Sequence, residues 1–194
     1  MDKTLYGNLI NPTAFVIGVF HGDEPQGDFL IRKYLSEYHD SNIMFLPCLN
    51  QSGLKQKTRV NANGVDLNRN FPTKNWELSE KNEYYGGEKP ASEEETKFII
   101  ETIEKYTPKL ILTLHAPYKV VNYDGDAKEI AEKISRIIKY PIEASIGYPT
   151  PGSFGTWAGI EKKIPTITLE LDEEIDVSDL VEPVFRIFSM LENY

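Results

Sequence analysis

The chain has 194 residues, 40% apolar and 26% charged, a balance that suits one soluble globular domain over 1–194 rather than a disordered segment. With 30 acidic residues against 21 basic ones, the formal net charge is -9. That argues against nucleic acid or an anionic membrane as partner, because Lys and Arg supply most of such affinity. Cys48 is the one cysteine, so no intrachain disulfide forms; with no basic-then-apolar leader and no apolar window of roughly 18 residues, the expected location is the cytoplasm.

In chain order, "AFVIGVF" (14–20) reads as a buried strand. Residues 25–39 follow with helical periodicity, carrying Phe29, Leu30, Lys33, Tyr34 and Tyr38 on one stripe. "NIMFLPCL" (42–49) is a second strand, and 50–90, rich in Asn, Gly, Lys and Pro, reads as a long irregular region. Such a region inside a compact domain is usually functional or hides an element. A helix is expected over 92–106, opened by a capping box between Ser92 and Glu95. "KLILTLHA" (109–116) is a strand ending in histidine, 126–140 a helix, 164–172 a strand and 177–194 a closing helix. Alternating strands and helices, several strands being continuous apolar runs, predict an α/β fold: a mixed, largely parallel sheet with helices on both faces.

The polar residues at the strand ends raise the question of chemistry. His21 and Glu24 stand three apart at a strand-to-helix junction, and His115 ends another strand. Two histidines and one carboxylate form a ligand set that hydrolytic zinc enzymes use. The bland reading of Glu24 is a helix N-terminal acid favoured by the macrodipole, while His39, at a helix end, suits the surface. Arg59, Asn68 and Arg69 lie in "KTRVNANGVDLNRNFP" (57–72); arginine suits bidentate capture of a carboxylate, but a solvated Asn-Gly turn would also account for the segment. In "TITLELDEE", alternation puts Ile167, Leu169 and Leu171 on one face and Thr168, Glu170 and Asp172 on the other. Glu170 is then either on the wet face of an edge strand or a carboxylate placed as a general base.

Taken together, "HGDE" (21–24), "GVDLNRNFP" (64–72), "YYGGEKPASEEE" (84–95), "LTLHAP" (112–117) and "ITLELD" (167–172) resemble, in type and order, the zinc carboxypeptidases of the M14 metallopeptidase family. The resemblance covers residues 14 to about 175 and is strongest in "GVDLNRNFP". It implies a zinc carboxypeptidase-like fold and one Zn2+ held by His21, Glu24 and His115. It implies that Glu170 is the general base and proton carrier, and that Arg59 polarises the scissile carbonyl, with Lys55 and Lys57 as competitors. Asn68 and Arg69 would bind the free carboxylate of a small peptide substrate. Tyr148, with Tyr118 as the alternative, would be the active-site tyrosine.

Within the family, the compact chain most resembles the murein peptide amidases, which cut between γ-D-glutamate and meso-diaminopimelate. Zinc amidohydrolases of N-acyl amino acids and non-catalytic peptide binders are the competing classes. No acidic residue lies between Gly147 and Ile160, so no simple pocket for a basic side chain is expected there. Asp23 is left to orient a ligand or face solvent.

Overall fold

The structure is a computed structural model of the chain, and it describes residues 3–144 and 150–194. Seven strands form one sheet: β1 (Tyr6–Gly7), β2 (Phe15–Gly18), β3 (Met44–Leu46), β4 (Ile111–His115), β5 (Val120–Asp124), β6 (Ile142–Glu143) and β7 (Thr166–Glu170), in the order β1-β3-β2-β4-β7-β5-β6. The interior strands β3, β2, β4 and β7 run parallel. β1 is antiparallel to β3, and β5 is antiparallel to β7. The sheet is therefore mixed and largely parallel. β7 is an interior strand, which removes the edge-strand reading of Glu170.

Alternation along the strands sorts side chains into two cores. On one face Val16, Leu112, Leu114, Ile167 and Leu169 pack with α1 (Gln26–Glu37), α4 (Lys128–Ile138) and α5 (Val181–Leu191). On the other, Phe15, Ile17 and Ile111 pack with Ile99 and Ile103 of α3 (Glu94–Tyr106), with Phe71, and with Phe154 and Trp157. The α1 stripe differs from the expected one: Gly27, Leu30, Ile31 and Tyr34 are buried, whereas Phe29 and Tyr38 are exposed. The closing helix is split into a 3₁₀ turn (Val177–Leu180) and α5. Pro183 falls in the first turn of α5, where its missing N–H costs least.

Elements not expected from the sequence include β1, β5, β6, the short α2 (Gln51–Gln56), a 3₁₀ turn at Leu67–Arg69 and a π-helical turn at Thr156–Glu161. The rest of the 50–90 segment is irregular but organised by buried asparagines. Asn50 caps α2 by accepting from Gly53 N, while its amide donates to the carbonyls of Phe20 and Arg59. Asn70 donates to Gly86 O and Ser92 Oγ and accepts from Glu93 N. Most of these bonds satisfy backbone groups that no strand or helix reaches. The capping box does not form. Ser92 Oγ is engaged by Asn70 and bonds Glu93, the helix begins at Glu94, and no side chain caps it.

β3 lies on one side of β2 and β4 on the other, so the chain reverses its direction of travel across the sheet at β2 and β4. In open α/β sheets, ligands bind beyond the carboxyl ends of the strands at such a switch point. His21 lies just past β2, and His115 is the last residue of β4.

Candidate active site

Past β2 the backbone turns sharply, with Val19 at φ 55°, a strained conformation for a β-branched residue. The turn brings Gly22 N to Thr58 O at 3.0 Å. A Cβ at Gly22 would collide with the backbone of Gly53, so the strand exit and α2 approach this closely only through glycine.

His21, Glu24 and His115 come together with their potential ligand atoms within 4.8 Å of one another. Glu24 bridges the two rings, with Oε1 2.8 Å from His21 Nδ1 and Oε2 3.0 Å from His115 Nδ1. Burial opposes the charge of Glu24, but His21 and His115 outweigh it and hold its pKa at about 2. His21 is buried, which alone would favour the neutral ring; Asp66 and Glu24 override this and raise its pKa to about 9. The donor set suits zinc: two imidazole nitrogens and a carboxylate converge, and the second nitrogen of His21 meets a carboxylate, Asp66, at 3.0 Å.

Asp66, fully buried, was not singled out from the sequence although it sits inside "GVDLNRNFP". Its Oδ1 faces His21 Nε2 and accepts from Asn68 N at 2.8 Å, while Oδ2 accepts from Arg59 Nε at 2.9 Å. Burial would raise its carboxyl pKa, yet His21 and Arg59 hold it well below the usual range. The signal available was an aspartate two residues before Asn68, where it caps the 3₁₀ turn Leu67–Arg69.

Arg59 enters the same cleft, its guanidinium 3.8 Å from Glu24 and 5.1 Å from the ring centre of Tyr84. Lys55 and Lys57 are exposed and do not line the cleft. Asn68 Oδ1 accepts from Phe154 N at 2.9 Å, which turns the amide NH2 outward as a donor. Arg69 is buried beside it, with Nη1 on Asn68 O at 2.7 Å.

Glu170 is the register partner of His115 on the adjoining strand. Burial first, and then the negative charge of Glu24, push its pKa up, with His115 acting in the opposite sense. Its Oε2 has no hydrogen-bond partner among the described residues.

These side chains share an open cleft of about 430 Å³. Tyr118 lines it and is 60% exposed, whereas Tyr148 lies outside the described residues. Asp23 is exposed at the rim, and His39 is exposed and lies away from the cleft. The expectation of a pocket without an acid needs correction. Residues 150–160 carry none, but β5, unforeseen from the sequence, brings Asp124 against Gly155 and Gly159.

The profile of the zinc carboxypeptidase family (peptidase M14) matches residues 6–138. Murein peptide amidase A of Vibrio campbellii (strain ATCC BAA-1116) is 34% identical over 181 residues, 83% of this chain and 70% of that protein. Murein peptide amidase A of Escherichia coli (strain K12) is 36% identical over 122 residues, 57% of this chain and 50% of that protein, so the match spans about half of the E. coli relative's length. The crystal structure of murein-tripeptide amidase MpaA from E. coli O157 superposes with a TM-score of 0.82 at 27% identity, covering 97% of this chain and 84% of that one. The family match, the parallel sheet and the clustered His21, Glu24 and His115 agree, and the chain belongs to the zinc carboxypeptidase family of M14 peptidases.

Proposed function

We propose that the protein is a zinc-dependent amidase that releases a carboxylate-bearing amino acid from a small peptide, with the γ-D-glutamyl–meso-diaminopimelate bond of murein peptides as its target. The observation that carries this reading is the gathering in one cleft of His21, Glu24, His115, Glu170, Arg59, Asn68 and Arg69. Similarity to the murein peptide amidases supports the choice of bond.

Bound zinc would supply Lewis acidity and bring the pKa of water towards neutrality. Asn68 and Arg69 bind the free carboxylate of the leaving residue, the NH2 of one beside the fork of the other. Their grip on that carboxylate makes the enzyme an end-cutter. Arg59, oriented by Asp66 and Tyr84, donates to the scissile carbonyl as negative charge builds on its oxygen. Glu170 Oε2 takes a proton from the attacking water and returns it to the departing nitrogen as the C–N bond breaks. A raised pKa suits a carboxyl that must both accept and release a proton. The products are a free γ-carboxyl and a free amine.

The test is a panel on zinc-loaded protein: L-Ala-γ-D-Glu-meso-diaminopimelate, peptides with ordinary α-linked C-termini, and N-acetyl-aspartate. Turnover of the murein tripeptide well above the others is expected. An intact tripeptide beside cleaved α-linked peptides, or N-acetyl-aspartate as the preferred substrate, overturns the reading.

A further inference from the structure

Glu93 is a buried carboxylate at the start of α3, outside the cleft, and the reaction described above does not use it. Its partners are neutral donors. Oε2 accepts from Asn61 Nδ2 at 2.8 Å and from Asn63 Nδ2 at 2.7 Å, and Oε1 accepts from Ser92 Oγ at 2.7 Å. Burial opposes the charge, but the bonds from Asn61, Ser92 and Asn63 outweigh it and hold the carboxyl pKa below its ordinary value. An acid at a helix N-terminus is ordinary. One whose oxygen reaches across 32 and 30 residues of chain to two asparagines is tied to something else.

Asn61 and Asn63 belong to the turn that joins Arg59 to Asp66. Asn61 closes that turn: its N–H donates to Val65 O at 2.9 Å and its carbonyl accepts from Gly64 N at 3.0 Å. Its Oδ1 accepts from Asn63 N at 3.0 Å and Val65 N at 3.1 Å. The chain thereby doubles back, so that Arg59 Nε before the turn meets Asp66 Oδ2 after it at 2.9 Å. The two flanks are held differently. Asp66 has anchors of its own, donating its N–H to Tyr85 O at 2.8 Å and accepting from Asn68 N at 2.8 Å. Arg59 relies on a 3.2 Å bond from Asn50 Nδ2 to its carbonyl and on the turn that follows it.

We propose that Glu93 is a positioning residue for Arg59: by gripping the amides of Asn61 and Asn63 it fixes the 61–65 turn, and through the turn the direction in which the Arg59 guanidinium meets the scissile carbonyl. The proposal rests on the role given to Arg59 above and adds what holds it in place. A carboxylate suits the task because it only accepts, and one of its oxygens takes both amide donors. The isosteric Glu93→Gln still offers an oxygen to both. Glu93→Ala leaves Asn63 Nδ2 without this acceptor and buried Asn61 with a 3.5 Å approach to Glu95. Because Asp66 is anchored separately, the loss of Glu93 disturbs Arg59 and spares the zinc ligands. The chemical step suffers, and capture of the substrate carboxylate by Asn68 and Arg69 does not.

The experiment compares zinc-loaded wild type, Glu93→Ala, Glu93→Gln, Arg59→Ala and the Glu93→Ala/Arg59→Ala double variant. Three readouts are taken: zinc content, steady-state kinetics on L-Ala-γ-D-Glu-meso-diaminopimelate, and NMR of the arginine Nε–H signals, that of Arg59 being the one absent from Arg59→Ala. Glu93→Ala should lower kcat by ~10- to 100-fold with KM and zinc content unchanged, and should shift or broaden the Arg59 signal. Glu93→Gln should restore the signal and bring kcat to within ~3-fold of wild type, since it loses only the charge assistance of the bonds. In the Arg59→Ala background, removing Glu93 should cost less than ~2-fold more, because the group it positions is gone. Equal losses in both backgrounds, a loss carried by KM or by zinc content, or an Arg59 signal that stays in place overturns the proposal. If Glu93→Ala fails to fold, Asn63→Ala, which removes an exposed partner, runs through the same cycle with an expected loss of ~3-fold in kcat. If wild type leaves the peptide intact, the murein reading fails, and the Arg59 signal decides the proposal by itself.

Discussion

Two pairs of carboxylates in the cleft behave in opposite ways. Glu24 and Asp66 are surrounded by His21, His115 and Arg59, and both are held ionised well below their ordinary range despite burial. Along β7 and β5, Glu170 and Asp124 have no such neighbours close enough to win, and burial lifts both. Paired carboxylates hold a framework and keep a fixed charge. Burial then decides where no opposing charge outweighs it, and a raised pKa fits the proton-carrying role proposed for Glu170.

The comparison can be broken at either pair. The largest effect is expected at Glu170: Glu170→Gln keeps shape but removes proton transfer, so kcat should fall by ~10²–10⁴ with zinc content unchanged, read by steady-state kinetics and metal analysis. Next is Asp66→Asn, which weakens the partner of both His21 and Arg59. Zinc affinity should drop by ~10- to 100-fold in a chelator competition, with kcat falling as well. An Asp66→Asn protein with wild-type zinc affinity would mean that the carboxylate does not orient the ligand.

A pH series sharpens the same contrast. In the zinc-stripped protein, His21 is raised from 6.5 to about 9, so its stabilising contribution is complete below pH 6.5 and is lost as pH rises through 9. Glu24 is lowered from 4.5 to about 2, so its contribution is present above pH 4.5 and is lost as pH falls through 2. Thermal melting of the stripped protein should therefore peak between those limits, at about pH 4.5–6.5. A ligand must give up its proton, so zinc uptake at pH 7 should release protons and tighten as pH rises toward 9, checked by titration calorimetry in buffers of different ionisation heat. The smallest effect is expected at Tyr84→Leu. Losing the ring beneath the Arg59 guanidinium should lower kcat/KM by only ~2- to 5-fold.

The gathering of His21, Glu24 and His115 was legible in the sequence because its residues sit at strand ends or just beyond them. An apolar run that stops at His21, and another that stops at His115, announce themselves without any knowledge of strand order. The strand that carries Asp124 was not legible. β5 alternates buried apolar and cleft-facing polar residues over only five positions, directly before a turn at Gly125, and reads as loop. Asp124 also meets its neighbours across long sequence gaps, Gly155 from one segment and β7 from another. The capping box failed for a related reason. Ser92 has the right local spacing, but Asn70, 22 residues earlier, already occupies its hydroxyl. Local rules describe what a residue can do, and distant partners decide which option is taken.

Because β5 runs antiparallel to β7, the strand lies along the cleft like the marks of a gauge. Its cleft-lining residues, Asn122 and Asp124, stand ~7 Å apart along the strand, Asp124 the farther from Glu170. Exchanges at 122 and 124 change the cleft wall at two depths and leave His21, Glu24, His115 and Glu170 in place. One short strand thus sets the character of that wall independently of the residues gathered around His21 and His115.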